Sequence, residues 1–208
     1  MKEFIEAFEE RISKDDIQID AVKIEQLATH YELMLKWNKT HNLTRITSIK
    51  DAIEKHYMDC ICGLSFVNTD LHIHDLGSGA GFPGLVGAIL RPHQSFTLVE
   101  PARKRTSFLN QVKSRLSLTN VSVLQGRAES VDGVASTISR GTFSWPNHKP
   151  LTNPLCVGGT SYLWIGQTPN REDYCETLEN EGFEVSWKSY DLGESGKRQM
   201  GIAVKLKA

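Results

Sequence analysis

Residues His72 to Gly84 read HIHDLGSGAGFPG, a short strand-like run that ends in three alternate glycines, Gly77, Gly79 and Gly81. A chain leaving a strand through such glycines can turn tightly and bring bare backbone against a ligand, and the helix that follows offers N–H groups to it. The arrangement belongs at the carboxyl end of a strand in an open α/β sheet, where a nucleotide-like ligand would lie across the turn.

The flanking sequence fits that frame. GLVGAIL reads as the helix after the turn and SFTLVE as the next strand. RTSFLNQVKSRLSL then places Phe108, Leu109, Val112 and Leu116 on one helical face, and VSVLQ follows as a third strand. After Gly126, STIS, SYLWIG, EVSWKSY and GIAVKL read as strands, and REDYCETLENEG as a helix stopped by Gly182. Strand alternating with helix predicts a parallel, doubly wound Rossmann-like sheet with helices on both faces. From Met1 to about Phe66 the apolar residues recur at helical spacing instead, including Phe4, Phe8, Ile12, Leu27, Tyr31 and Met34. Residues 1–66 are therefore expected to form a helical extension packed on a core domain of residues 67–208. Within the extension, NKTHNLTRITS breaks the pattern, and Ser48 followed by Asp51 predicts a capped helix start. Trp37, Asn38 and Asn42 read as a helix end and turn packed on the sheet.

Composition narrows the function classes. At 208 residues, with 39% hydrophobic and 24% charged residues, the chain suits one globular domain with an extension. Its apolar runs are too short to span a bilayer, and MKEFIEAFEERISKDD is too acidic for a signal peptide, so a cytoplasmic protein is expected. Cys60, Cys62, Cys156 and Cys175 contain no Cys-x-x-Cys pair and read as reduced thiols. With a net charge of −1, any nucleic-acid site must be a local patch, and Arg103, Lys104 and Arg105 supply one. They sit at a predicted helix start, where positive charge opposes the helix dipole, which favours a use for them on RNA phosphate. His72 and His74 alternate on a strand with no third ligand at metal-binding spacing, so no metal is expected. His56 and Asp59, three apart on a helix, are expected to pair with each other.

The ligand is not fixed by glycine spacing, because Gly79, Gly81 and Gly84 also satisfy the dinucleotide pattern G-x-G-x-x-G. Asp75 favours S-adenosylmethionine, since a carboxylate there can accept from that cofactor's amino group and would repel a pyrophosphate. Glu100 closes the second strand, where it could accept from ribose hydroxyls, and Ala128 and Glu129 of GRAES could frame an adenine edge.

Several blocks now bear comparison with a known family. WNKTHNLT, KHYMDC, DLGSGAGFPG, RPHQSFTLVEPARKRTSFLNQV, GRAE and ISR follow one another between Leu33 and Arg140. In that order they resemble the RsmG, or GidB, family of bacterial methyltransferases acting on small-subunit ribosomal RNA. The resemblance implies a class I S-adenosylmethionine-dependent methyltransferase fold and methyl transfer to N7 of a guanosine in the 530 loop of 16S rRNA. The expected partner is 16S rRNA or the small ribosomal subunit, met by a monomer. Carried onto matching positions, the cofactor contacts would come from Gly77, Phe82, Glu100, Ala128, Glu129 and Arg140, with Arg140 also orienting the acceptor or a phosphate. Arg140→Ala is expected to lose turnover with little loss of fold. Beyond Arg140 the chain departs from the family pattern: GTFSWPNH and LWIGQ replace its usual runs, and only Gly166 and Arg198 match. A methyltransferase of the same fold with another RNA or small-molecule acceptor, and a silent cofactor-binding module, therefore stay open. An NAD-dependent oxidoreductase ranks last, because no acid or base for hydride transfer is evident.

Overall fold

The computed structural model describes residues 1–68, 72–141, 149–165 and 171–207. The N-terminal third is helical, as its spacing requires. Helix α1, Lys2–Lys14, turns Phe4, Phe8 and Ile12 inward. Helix α2, Ala21–His41, starts at Asp20, whose carboxylate accepts from Lys23 N–H at 3.0 Å, and ends at Asn42 in a left-handed conformation. Helix α3, Ile49–Ala52, is capped by Ser48 as expected, the hydroxyl accepting from Asp51 N–H at 3.1 Å. It runs through a π-helical turn, Ile53–Met58, into α4, Asp59–Leu64.

The sheet region follows as β1 Ile73–Leu76, α5 Gly84–Leu90, β2 Phe96–Glu100, α6 Arg103–Arg115, β3 Val121–Gln125, β4 Val134–Arg140, α7 Lys149–Thr152, β5 Leu155–Ile165, α8 Arg171–Asn180, β6 Phe183–Asp191 and β7 Lys197–Lys205. The strands lie in the order β3-β2-β1-β4-β5-β7-β6. The first five are parallel, but β7 is inserted antiparallel between β5 and β6. An entirely parallel sheet was expected. Only a turn around Gly193–Ser195 joins β6 to β7, with no crossover helix, and so short a connection can close only an antiparallel pair. The strand order reverses between β1 and β4, which opens a crevice at their carboxyl ends.

Both faces of the sheet are covered. On one, Phe4, Phe8, Leu27 and Tyr57 from the N-terminal helices pack in the same cluster as Ile73, Phe96 and Ile138 of the strands. Stacked and edge-on rings of Phe4, Phe8, Tyr31 and Tyr57 tie these helices together, and each such burial contributes roughly 1.5–3 kcal/mol. On the other face Leu76, Val99 and Leu163 meet Tyr174, Leu178 and Phe183. No helix among the described residues is long and apolar enough to cross a membrane.

Candidate functional site

A cavity of about 450 Å³ opens at the carboxyl ends of β1, β2, β3 and β4, a size suited to a nucleoside-like ligand. Its floor is the glycine turn. Gly77 and Ser78 N–H donate to Val99 O at 2.8 and 3.2 Å, which pins the turn to β2. Gly79 follows with φ of 56°, a left-handed conformation in which a side chain would be strained, and its bare backbone faces the cavity.

Asp75 does not reach the cavity as the sequence suggested. It lies fully buried beneath the turn, where its Oδ2 accepts from Gly84 N–H at 3.0 Å. A Cβ on Gly84 would collide with that carboxylate and with Leu98, so the last glycine of the motif allows helix and strand to approach closely. Burial raises the Asp75 carboxyl from 3.8 to about 7. The N-terminus of α5 is correspondingly closed: Asp75 takes Gly84 N–H, and Gly81 O takes Leu85 N–H at 2.9 Å. The helix therefore does not present these N–H groups to a ligand, contrary to expectation.

Glu100 lies in the cavity wall and is 2% exposed. Its Oε2 accepts from Gly79 N–H and its Oε1 from Ala102 N–H, both at 2.9 Å. A carboxylate has about four acceptor positions, so two remain for a ligand. Beyond β3, a single helical turn, Ala128–Ser130, brings Ala128 and Glu129 to the same wall. Arg105 and Arg127 also line it, with Arg105 Nη1 3.9 Å from Glu100 Oε1.

The opposite wall is made of side chains. Arg140, at the end of β4, donates to Lys55 O at 2.8 Å, Asp59 Oδ2 at 3.0 Å and His56 Nδ1 at 2.9 Å. Asp59 also accepts from Tyr190 O–H at 2.7 Å, and its main-chain carbonyl from Trp164 Nε1–H at 3.0 Å. The His56 ring stacks on Phe82 with centroids 4.5 Å apart, and the Arg140 guanidinium lies 5.3 Å from the same ring. Burial first, and the Arg140 charge second, hold His56 down at about 3. The π-helical turn carries His56 and delivers Asp59, a placement that such widened turns often serve at functional sites. His56 and Asp59 thus meet on Arg140 and do not pair with each other. Arg140 also neutralises a buried carboxylate, so its removal is not the structurally mild change expected from sequence. Behind the turn, fully buried His30 donates from Nε2 to Ala80 O at 2.9 Å and accepts at Nδ1 from Tyr57 O–H at 3.0 Å. Helix α2 thereby holds the glycine turn in place. On the far side of Arg140 a second recess of about 360 Å³ is lined by Asp59, Trp164, Tyr190, Arg198 and Gln199.

Of the residues singled out from sequence, Gly77, Gly79, Phe82, Glu100, Ala128, Glu129 and Arg140 wall one cavity. The basic triplet divides: Arg105 belongs to that wall, whereas Arg103 and Lys104 are exposed on the first turn of α6. Arg198 lines the second recess. Gly166 and the stretch Thr142 to His148 lie outside the described residues. His72 and His74 stack with centroids 4.6 Å apart, and among the described residues no group of three metal-ligating side chains forms. Thr44, His56 and Arg127 line the cavity unforeseen. The NLT and KHYMDC blocks marked the first two, but only as parts of a resemblance.

Compared with known proteins, the chain matches the family described as GidB, rRNA small subunit methyltransferase G, over residues 23–196. It is 35% identical over 154 residues to a ribosomal RNA small subunit methyltransferase G from Pseudomonas putida, which covers 71% of this chain and 70% of that one. A protein of the same name from Fusobacterium nucleatum is 39% identical over 125 residues, 60% of this chain and 54% of its own length. Among solved structures, a Haloferax volcanii methyltransferase in complex with its Trm112 activator superposes with a TM-score of 0.63 at 14% identity, covering 84% of this chain and 98% of that one. The N-terminal domain of human METTL16 in complex with SAH gives 0.55 at 13% identity, covering 79% and 73%. Likenesses at these identities concern the fold alone.

Proposed function

This chain belongs to the rRNA small subunit methyltransferase G family, and from that membership we propose that it transfers a methyl group from S-adenosylmethionine to N7 of a guanosine in the 530 loop of 16S rRNA. The observation that carries the choice of cofactor is Asp75. Its carboxylate takes the N-terminus of α5, where a dinucleotide's pyrophosphate would otherwise sit, and so disfavours NAD. The remaining lining groups fit S-adenosylmethionine. Glu100 keeps acceptor positions for ribose hydroxyls, Ala128 and Glu129 frame the adenine, and the bare backbone of Gly77 and Gly79 accommodates the amino-acid end. Residues 1–66 act as a helical extension that completes the site of a methyltransferase domain spanning residues 67–208.

When bound, the cofactor supplies an electrophilic sulfonium methyl group. Guanine N7 has an in-plane lone pair and needs no deprotonation, so no residue need act as a general base. The protein's task is alignment, which by itself accounts for several kcal/mol of a barrier. Arg140 stands between the cofactor cavity and the second recess, where it orients the acceptor base entering beside Trp164 and Tyr190. A base taken out of its stack suits such an aromatic recess. Arg103 and Lys104 contact RNA phosphate outside it. The partner is 16S rRNA or the small subunit, and the protein works as a cytoplasmic monomer.

The test is incubation with labelled S-adenosylmethionine and small subunits from cells lacking this modification, followed by chemical cleavage at N7-methylguanosine. Label and cleavage at one guanosine of the 530 loop are expected. Label elsewhere in RNA would keep the cofactor and replace the acceptor, and no label in any ribosomal substrate would leave a silent binding module.

A further inference from the structure

The hydrogen bonds around Thr44 fix the direction of its own proton. A guanidinium can only donate, so Arg140 Nη2, 2.9 Å away, requires His56 Nδ1 to be an unprotonated acceptor. The ring is buried against the Arg140 cation and is neutral, so its single proton sits on Nε2. Nε2–H therefore donates to Thr44 Oγ1 at 3.0 Å. The same oxygen accepts from Ile46 N–H, also at 3.0 Å. Both lone pairs of the hydroxyl are then in use, which leaves it as a donor. Among the described residues no atom accepts that proton, and Thr44 lines the cavity.

We propose that the Thr44 hydroxyl donates a hydrogen bond to the α-carboxylate of S-adenosylmethionine, with His56 and Arg140 as positioning residues that lock its polarity. This rests on the cofactor reading above. The cavity runs along the strand ends in the order β3, β2, β1, β4. With adenine at Ala128 beside β3 and ribose at Glu100 on β2, the amino-acid end lies over β1 and β4. Thr44 belongs to that end, because it is linked through His56 to Arg140 on β4. Of the groups there, the ammonium and the sulfonium are cations that do not accept, and the carboxylate does.

Calorimetric titration of the unaltered protein, Thr44→Val and Thr44→Ser tests this with two ligands. One is S-adenosylhomocysteine; the other is its decarboxylated analogue, which keeps the nucleoside, the thioether and the amine. Thr44→Val is expected to weaken S-adenosylhomocysteine roughly tenfold to a hundredfold, the strength of a hydrogen bond to a charged group, and to leave the analogue within about twofold. Thr44→Ser is expected to restore the difference. Should Thr44→Val not fold, Thr44→Ala repeats the comparison. Equal weakening of both ligands, or a loss that serine does not restore, would make Thr44 a brace for the turn and overturn the proposal. Unchanged affinity for S-adenosylhomocysteine would give the hydroxyl to the acceptor base and overturn it equally. Binding of neither ligand by the unaltered protein would reject the cofactor reading itself, and this inference with it.

Discussion

The two walls of the cavity are built on different principles. The glycine-turn wall is backbone held by a strand carbonyl and two buried carboxylates: Gly77 and Ser78 on Val99 O, Gly79 on the Glu100 side chain, Gly84 on the Asp75 side chain. The Arg140 wall is a network of side chains drawn from the π-helical turn, α4, β4, β5 and β6. The first resists added volume, since a Cβ on Gly84 would meet Asp75 and Leu98 at once. The second tolerates some change of volume and fails when a charge is removed, because its low-dielectric setting penalises any partner left alone.

Removing the cation is the strongest way to break the contrast. Arg140→Ala leaves Asp59 buried without its counter-ion, and is expected to cost roughly 3–5 kcal/mol of stability in chemical denaturation. It should also lower turnover about a hundredfold through misplacement of the acceptor. Arg140→Lys should recover little, since an ammonium cannot fork to His56 and Asp59 together. Full stability in the alanine variant would put the two walls on one principle. Adding volume probes the other side: Gly84→Ala drives a Cβ into Asp75 and Leu98 and should cost about 1–3 kcal/mol in thermal unfolding, with cofactor affinity falling alongside.

Buried groups around the cavity also answer pH in opposite senses. Burial raises the Asp75 carboxyl in the folded protein to about 7, against 3.8 when unfolded, so its contribution to stability is complete below about pH 4 and is lost as pH rises through 7. His56 is held at about 3 and His30 at about 4, against 6.5 unfolded, so their contributions are complete above pH 6.5 and are lost as pH falls through those values. Melting temperature measured from pH 4 to 8 should therefore show two opposed slopes. Asp75→Asn is expected to remove the decline towards neutral pH and to leave the acid limb. If both limbs persist in that variant, Asp75 is not the source.

The same contrast governs what could be read from sequence. The glycine turn and the strands beside it are local, so spacing and residue type exposed them, and the helical face of α6 followed from Phe108, Leu109 and Val112. Asp75 was assigned to the correct turn with the wrong partner, because β1 places both Asp75 and Leu76 among buried residues and alternation does not say where a carboxylate points. The Arg140 wall joins residues as far apart as Tyr190 and Asp59, separated by 131 positions, and no periodicity carries that information. The π-helical turn shifts the register of the helix that bears His56 and Asp59, so a pairing drawn on α-helical spacing was misplaced.

The smallest effect lies outside both walls. Neutralising Arg103 and Lys104 together should reduce the salt dependence of RNA binding by a slope of roughly 1–2 and leave cofactor affinity unaltered, measured by filter binding across salt concentrations. Neutralising Arg105, which lines the cavity, should lower cofactor affinity as well.

Selection of S-adenosylmethionine over NAD is ascribed to the closed helix start and the Glu100 wall. Side-by-side calorimetric titration of the purified protein with S-adenosylmethionine, S-adenosylhomocysteine and NAD tests it most directly. Saturable binding of the first two with none of the third is the predicted result; saturable binding of NAD would contradict it.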